Sequence, residues 1–327
     1  MPDGKSSESP VPVPGQAASF KYSVVIPVYN SEGIVGDTVD RTVAFFNRMG
    51  WRYQIVLVND GSADRSWDVI AGKADMDRNV TSVNLLKNYG QHTALICGLK
   101  HTTGDYVITI DDDLQNPPEE IVHLVAKAGE GYDVVFGRFR QKQHSFYRRF
   151  GSRLIAWLNR RIFGQPKDLE VTNFRLLRRD VVDRILTYRT NFPYLNGLAV
   201  RLSSKRANVL VDHKPRKVGK STYGFVQIYS LVTRILYNYS AFPLQVISMI
   251  GFCVAILSFF AGFWFLVKAV LFGASVAGWA SIVVLVSFLG GVNIAIVSML
   301  GEYLIRLVRQ SAENSGYHVA TVVNPHE

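Results

Sequence analysis

The sequence predicts an α/β chain: a doubly wound, mostly parallel sheet followed by an interfacial helix region and two transmembrane helices. Three observations predict it. Five apolar, β-branched runs alternate with longer stretches that suit helices, the pattern of a parallel sheet covered on both faces. Polar clusters fall at the carboxyl ends of those runs, where open α/β sheets bind ligands. Nearer the C-terminus, residues 244–267 and 279–301 are 24 and 23 residues long without a charge. Each can cross a hydrocarbon core of about 30 Å as a helix.

The first strand is read from YSVVIPVYN (22–30) and ends in Pro27, Tyr29 and Asn30. The second, YQIVLVNDGS (53–62), ends in Asp60, Gly61 and Ser62. The third, VTSVNLL (80–86), is followed by Lys87, Asn88 and Gly90. The fourth, DYVITIDDD (105–113), runs into Asp111, Asp112, Asp113 and Gln115, and the fifth, DVVFGR (133–138), into Arg138 and Arg140. Any one cluster is ordinary turn chemistry; the four that end the first, second, fourth and fifth strands, at one sheet edge, read better as a shared site, and the residues after the third can line the same pocket. No G-x-G-x-x-G or G-x-x-x-x-G-K-[ST] follows the first strand, so neither a standard dinucleotide site nor a P-loop is supported.

Hydrophobic residues make up 48% of the chain and mean hydropathy is +0.11, although the chain carries 36 Lys and Arg. The excess sits in the two uncharged runs. Arg201, Lys205, Arg206, Lys214, Arg216, Lys217, Lys220 and Arg234 precede the first run, and Arg306 and Arg309 follow the second. The positive-inside tendency therefore puts both ends of a hairpin in the cytoplasm. The net charge of +10 points to anionic partners. Residues 146–164 carry Arg148, Arg149, Arg153, Arg160 and Arg161 on an amphipathic stretch. With membrane runs in the same chain and no nucleic-acid motif, a lipid bilayer phosphate is favoured there over nucleic acid.

The expected layout begins with a disordered tail over 1–20, rich in Pro, Ser and Gly and without the apolar core of a signal peptide. A cytoplasmic catalytic domain covers 21–224. Residues 225–242 set Phe225, Ile228, Val232, Ile235 and Tyr239 on one helical face, suited equally to a membrane interface or to packing on the soluble domain. The transmembrane hairpin spans 243–310 and a cytoplasmic tail 311–327. Cys97 and Cys253 offer no disulfide or metal framework, and His92 and His101 lack ligand spacing.

Asp111, Asp112 and Asp113 repel one another, and burial makes that worse. A solvated turn before a helix is one explanation. A bound divalent cation is the other. Alternate residues of an extended segment share a face, so Asp111, Asp113 and Gln115 can converge while Asp112 points away. Hard oxygen donors favour Mg2+ or Mn2+ and leave room for a diphosphate. Asp60 is suited to accept from a nucleobase N–H or ribose hydroxyl, and Tyr29 to pack on a base; the plain alternatives are a turn aspartate and a strand-end aromatic.

VVIPVYN, VNDGS, KNYGQHTAL, GDYVITIDDDLQNPPEEI and GYDVVFG together resemble glycosyltransferase family 2, with its GT-A fold. Within it the chain resembles the polyprenyl-phosphate sugar transferases, of the dolichol-phosphate mannose synthase and undecaprenyl-phosphate glucosyl- or aminoarabinosyl-transferase type. The likeness covers about residues 20–310. It implies a nucleotide-sugar pocket of Pro27, Tyr29, Glu32, Asp60, Lys87, Asp111 and Asp112, and a metal held by Asp111, Asp113 and Gln115. It implies lipid-phosphate binding by Arg138, Arg149, Arg175, Lys220 and Ser221, with Asp111, Asp113 and Arg138 as the catalytic set. The implied reaction moves a sugar from UDP to polyprenyl phosphate with inversion at a bacterial inner membrane, and the implied assembly is a homo-oligomer, as a tetramer in relatives. Two departures stand out. VGKSTYG carries Thr222 where the family usually has Lys, and DLEVTNFRLL replaces an Asp-x-Gly-x-Phe-Arg pattern, which unsettles a base role for Asp168 or Glu170. A processive polysaccharide synthase is the alternative enzyme, but its Q-x-x-R-W motif is missing; a non-catalytic nucleotide-sugar binder is the other alternative.

Overall fold

The computed structural model of the 327-residue chain describes residues 17–139, 157–188, 190, 193–213, 232–233, 235–236, 239–240, 242–272, 278–310 and 316–325. It divides into two compact units: Met1–Ile228 with Asn314–Glu327, and Tyr229–Glu313.

The first unit is built on one eight-stranded sheet in the order β7-β5-β6-β4-β1-β2-β3-β8. Its strands are β1 Lys21–Val28, β2 Arg52–Asn59, β3 Val80–Leu85, β4 Tyr106–Thr109, β5 Val134–Phe139, β6 Arg175–Arg178, β7 Arg206–Val211 and β8 Val319–Val323. The five strands read from the sequence are all present. The other three were not anticipated. β6 lies antiparallel between β4 and β5, β7 runs parallel to β5, and β8 pairs antiparallel with the edge of β3. The helices include α1 Val35–Met49, α2 Ser66–Met76, α3 Gln91–Lys100, α4 Ile121–Ala128, α5 Arg179–Thr187 and α6 Leu195–Arg201, and residues 157–163 are helical as well.

β1, β2 and β3 are parallel, as βαβ crossovers require. They are buried almost throughout because helices cover both faces. Tyr22, Phe46, Trp51 and Tyr53 pack where these strands begin, with the Tyr22 and Trp51 rings 5.1 Å apart and the Phe46 and Tyr53 rings 5.3 Å apart. This aromatic core lies at the opposite end of the sheet from the polar clusters.

Pro27 lies in central β1, where a missing N–H ordinarily breaks a ladder. Here it breaks nothing. The β1–β4 ladder ends at Val25 paired with Thr109, with one further bond from Ile110 N to Val25 O. Pro27 follows in the phase that faces β4, just where the chain after β4 turns away. The acidic segment is therefore released from the sheet at a position where β1 asks for no partner.

β8 is fastened beyond its ladder. Asn324 Nδ2 donates to Asp77, Arg78 and Val80 carbonyls, and Thr81 Oγ1 donates to Asn324 O at 2.9 Å. A single unprotected edge strand invites unwanted pairing; β8 takes that position on β3.

The second unit consists mainly of α7 Phe242–Phe272 and α8 Trp279–Gln310. They pack antiparallel. A Cβ on Gly251 would lie 2.7 Å from Ile294 Cγ2, and one on Gly262 would lie 2.3 Å from Val284 Cγ1, so these glycines permit the close approach. Much of the outer surface is apolar, including exposed Phe252, Leu257, Trp264, Val286 and Val297. Among the described residues, Val284–Gly301 is long and apolar enough to cross a membrane, and Met249–Trp264 is apolar but shorter. Two spans were expected from the sequence; by this measure one qualifies.

Candidate active site

The acidic segment leaves β4 as a turn, not as the extended strand expected from the sequence. Leu114 takes a left-handed φ of 55°, uncommon for a residue with a Cβ. Asp113 Oδ1 accepts the Gln115 amide at 3.1 Å, closing a short side-chain turn. Asp112 turns to the end of β1, where its Oδ2 accepts from Ser31 Oγ and from Tyr29 N at 3.3 Å. Asp111 turns to the start of α3, where Gln91 Nε2 donates to its Oδ1 at 2.7 Å. Asp112 is thus separated from Asp111, by the turn and its partners.

Burial, then the charges of Asp113 and Asp112, push the Asp111 pKa up to about 7. Burial also raises that of Asp112. Carboxylates this reluctant to ionise together are suited to a cation. The donor set fits a hard ion: two carboxylates and the Gln115 amide oxygen at one turn. Among the described residues no group of three or more His, Cys, Asp or Glu gathers to hold a metal; Asp111, Asp113 and Gln115 offer oxygen donors of the kind Mg2+ and Mn2+ take. His213 was not anticipated. Its Nδ1 lies 3.4 Å from Asn116 Oδ1, its ring 4.2 Å from that of Phe139, and burial lowers its pKa against the opposing pull of Asp113. Gln91 was missed too; its only signal was its place in NYGQH, directly after the third strand.

Asp60 ends β2 almost fully buried. Its two oxygens accept the backbone N–H groups of Tyr89 at 2.7 Å and Gly90 at 2.9 Å. Burial still raises its pKa to about 6, against those two bonds. Gly61 has φ 64°, and a Cβ there would stand 2.4 Å from Lys87 C and 2.5 Å from Asn88 N. The loops after β2 and β3 therefore touch backbone to backbone. The loops after β1 and β2 are tied as well. Asn30 N donates to Ser62 Oγ at 3.0 Å, Ala63 N to Asn30 Oδ1 at 2.9 Å, and Arg65 N to Glu32 Oε2 at 2.9 Å. Tyr29 is half exposed beside them, and Lys87 is exposed with its Nζ 5.4 Å from the Tyr89 ring centre. Pro27, Tyr29, Glu32, Asp60, Lys87, Asp111 and Asp112 thus share one end of the sheet. Asp60 and Glu32 also hold loops together in their own right.

Arg138 is exposed at the end of β5, its Nε 3.5 Å from Glu170 Oε2. Arg175 is wholly buried. Its Nε donates to Thr109 Oγ1 at 3.0 Å, its Nη1 donates to Asn196 Oδ1, and its Nη2 has no hydrogen-bond partner among the described residues. His92 stacks edge-on against Tyr194 at 5.0 Å, and burial with the Arg175 charge lowers its pKa to about 3, so the ring is neutral. Arg149, Lys220 and Ser221 lie outside the described residues.

The profile of glycosyl transferase family 2 matches residues 23–186, half of the chain. The undecaprenyl-phosphate 4-deoxy-4-formamido-L-arabinose transferase of Shewanella sediminis (strain HAW-EB3) is 35% identical over 304 residues, 92% of each chain. The chain belongs to glycosyl transferase family 2. The same-named transferase of Enterobacter sp. (strain 638) is also 35% identical, over 94% of this family 2 chain and 95% of its own. Among solved structures, glucosyl-3-phosphoglycerate synthase from Mycobacterium tuberculosis, in complex with Mn2+, UDP and phosphoglyceric acid, superposes with a TM-score of 0.53. That likeness covers 71% of this chain and 82% of the other at 16% identity, and it shows a shared fold. The family 2 match spans β1 to α5 and so contains Asp60 and the whole acidic turn.

Proposed function

We propose that this chain is a membrane enzyme transferring a sugar from UDP to undecaprenyl phosphate with inversion, yielding a polyprenyl-phosphate sugar for bacterial envelope glycans. The observation that carries this reading is the extent of the likeness. At 92% of the chain, the alignment to an undecaprenyl-phosphate transferase runs through the helical hairpin as well as the sheet. A lipid acceptor needs both.

Asp60 and the loops around it receive the nucleoside, while Asp111, Asp113 and Gln115 face the diphosphate. Mg2+ or Mn2+ bound by these three would supply positive charge to the departing UDP. An oxygen of the lipid phosphate attacks C1 from the opposite side, the bond from C1 to the diphosphate oxygen breaks, and UDP leaves with that electron pair. The acceptor is already anionic near neutrality, so no strong general base is required. Orientation and charge stabilisation carry the rate.

Both α7 and α8 are read as crossing the membrane. The chain leaves the first unit before residue 229 and rejoins the same sheet as β8 after residue 313. A bilayer cannot divide one sheet, so the number of crossings between these points is even. The basic flanks put the sheet in the cytoplasm at a bacterial inner membrane. Reporters fused at the N-terminus and after Glu327 are expected to read cytoplasmic, and one within 268–278 external. A cytoplasmic reading at 268–278 removes the hairpin.

The function is tested by incubating the purified protein with undecaprenyl phosphate and a panel of UDP-sugars, with products read by mass spectrometry. No lipid-linked sugar from any donor, with UDP released only to water, would refute the acceptor assignment. Arg138 is proposed to exchange Glu170 for the lipid phosphate. A charge-assisted bond of roughly 1.5–3 kcal/mol corresponds to about a 10- to 100-fold rise in the KM for undecaprenyl phosphate in Arg138→Ala, with the KM for the nucleotide sugar nearly unchanged. If UDP binding weakens instead, Arg138 serves the donor.

A further inference from the structure

Arg175 is the only arginine or lysine among the buried residues described. A buried guanidinium is costly unless something answers its charge. Its hydrogen-bond partners, Thr109 and Asn196, are neutral. Antiparallel pairing sets Arg175 directly opposite Thr109, two residues before Asp111. The bond to Thr109 Oγ1 shows that the guanidinium lies on the Thr109 side chain's face. The first carboxylate beyond along the chain is Asp111; burial lowers the Arg175 pKa, and the Asp111 charge opposes that. The neutral His92 ring and Tyr194 also stand close enough to interact with Arg175.

We propose that Arg175 is the resident counter-charge of the acidic turn. It balances Asp111 when no cation is bound, which keeps three adjacent aspartates folded, and it tempers the affinity of the site for a divalent cation. Arg175 is then a positioning residue acting through Asp111. Its unpaired Nη2 fits this role, since a guanidinium committed by only two of its nitrogens retains reach toward the turn. The tempering half of the proposal rests on reading Asp111 and Asp113 as cation ligands; the balancing half does not.

The test uses the full-length protein in detergent, with Mn2+ alone as the probe and no nucleotide. In EDTA, Arg175→Met is expected to lower Tm by about 5 °C or more. Saturating Mn2+ should raise the Tm of this variant further than that of the wild type, and Mn2+ should bind it about tenfold more tightly, because one repelling charge is gone. Arg175→Lys, which keeps the charge, should respond to Mn2+ like the wild type. Adding Asp111→Asn to Arg175→Met should recover Tm in EDTA, since each change removes the partner of the other. A purely structural arginine would lose stability without that recovery and without a larger Mn2+ response; either failure overturns the proposal. If Arg175→Met cannot be purified without metal, the double variant decides: folded, it supports the pairing, and unfolded, it overturns it. If Mn2+ moves neither wild type nor variant, the cation reading of the site is lost and the tempering role with it, while recovery in EDTA still reports on the charge pair.

Discussion

Asp113→Ala is expected to abolish sugar transfer, by roughly a thousandfold or more, the scale of losing preorganised charge stabilisation at a leaving group. Calorimetric titration of UDP should lose its dependence on Mg2+ or Mn2+ in the same variant. The fold should survive. Asp113 lies in the turn beyond β4, outside the sheet, and its Oδ1 accepts a turn bond from Gln115 N that contributes about 1 kcal/mol, so far-UV circular dichroism should be unchanged. Asp112→Asn is the control. Its carboxylate is tied to Ser31 and Tyr29 on the β1 side, and an asparagine oxygen can still accept one of those bonds. A loss of about tenfold with metal-dependent UDP binding retained is expected. Equal loss in the two variants would mean that Asp112 also faces the diphosphate, and the division of the three aspartates would be wrong.

Gly61→Ala is expected to cost at least tenfold in UDP affinity, although it adds only one methyl group. The left-handed φ of 64° costs about 1–2 kcal/mol for a residue with a Cβ. The larger effect is positional. The new Cβ would meet backbone atoms of Lys87 and Asn88 at 2.4 and 2.5 Å, and backbone cannot rotate aside as a side chain can. The loop after β3 must move, and with it the amides of Tyr89 and Gly90 that hold Asp60. Mn2+ binding at the acidic turn should remain, because that turn is held from α1 and α3 instead, through Thr38 and Gln91. Wild-type UDP affinity in Gly61→Ala would show that the Asp60 cradle is not part of the nucleotide site.

The helical hairpin illustrates a partial reading. Its two helices were legible as uncharged runs, because hydropathy is a property of composition alone. Their close approach at Gly251 and Gly262 was not, since either glycine in isolation reads as a neutral break in a helix.

Five strands and the polar residues that end them were legible because both signals are local. β-branched runs favour extended backbone wherever they stand, and turn residues such as Asn30, Gly61 and Leu114's neighbours mark where a run must stop. The sequence by itself therefore determined the α/β class, the edge of the sheet at which chemistry gathers, and the candidacy of Asp60, Asp111 and Asp113. Other features needed partners that lie far along the chain. RLLR, which becomes β6, is a four-residue run with arginine at both ends, and its pattern gives no reason to bury Arg175. Pairing with Thr109, 66 residues earlier, puts it inside. VATVV is plainly strand-like, yet its place on β3, more than 200 residues away, depends on Asn324 reaching the carbonyls of Asp77, Arg78 and Val80. The tertiary structure alone decided which way each aspartate turned, because that depends on Ser31, Tyr29 and Gln91 arriving from other elements, and no spacing within VITIDDDLQNPPEE encodes where those groups stand.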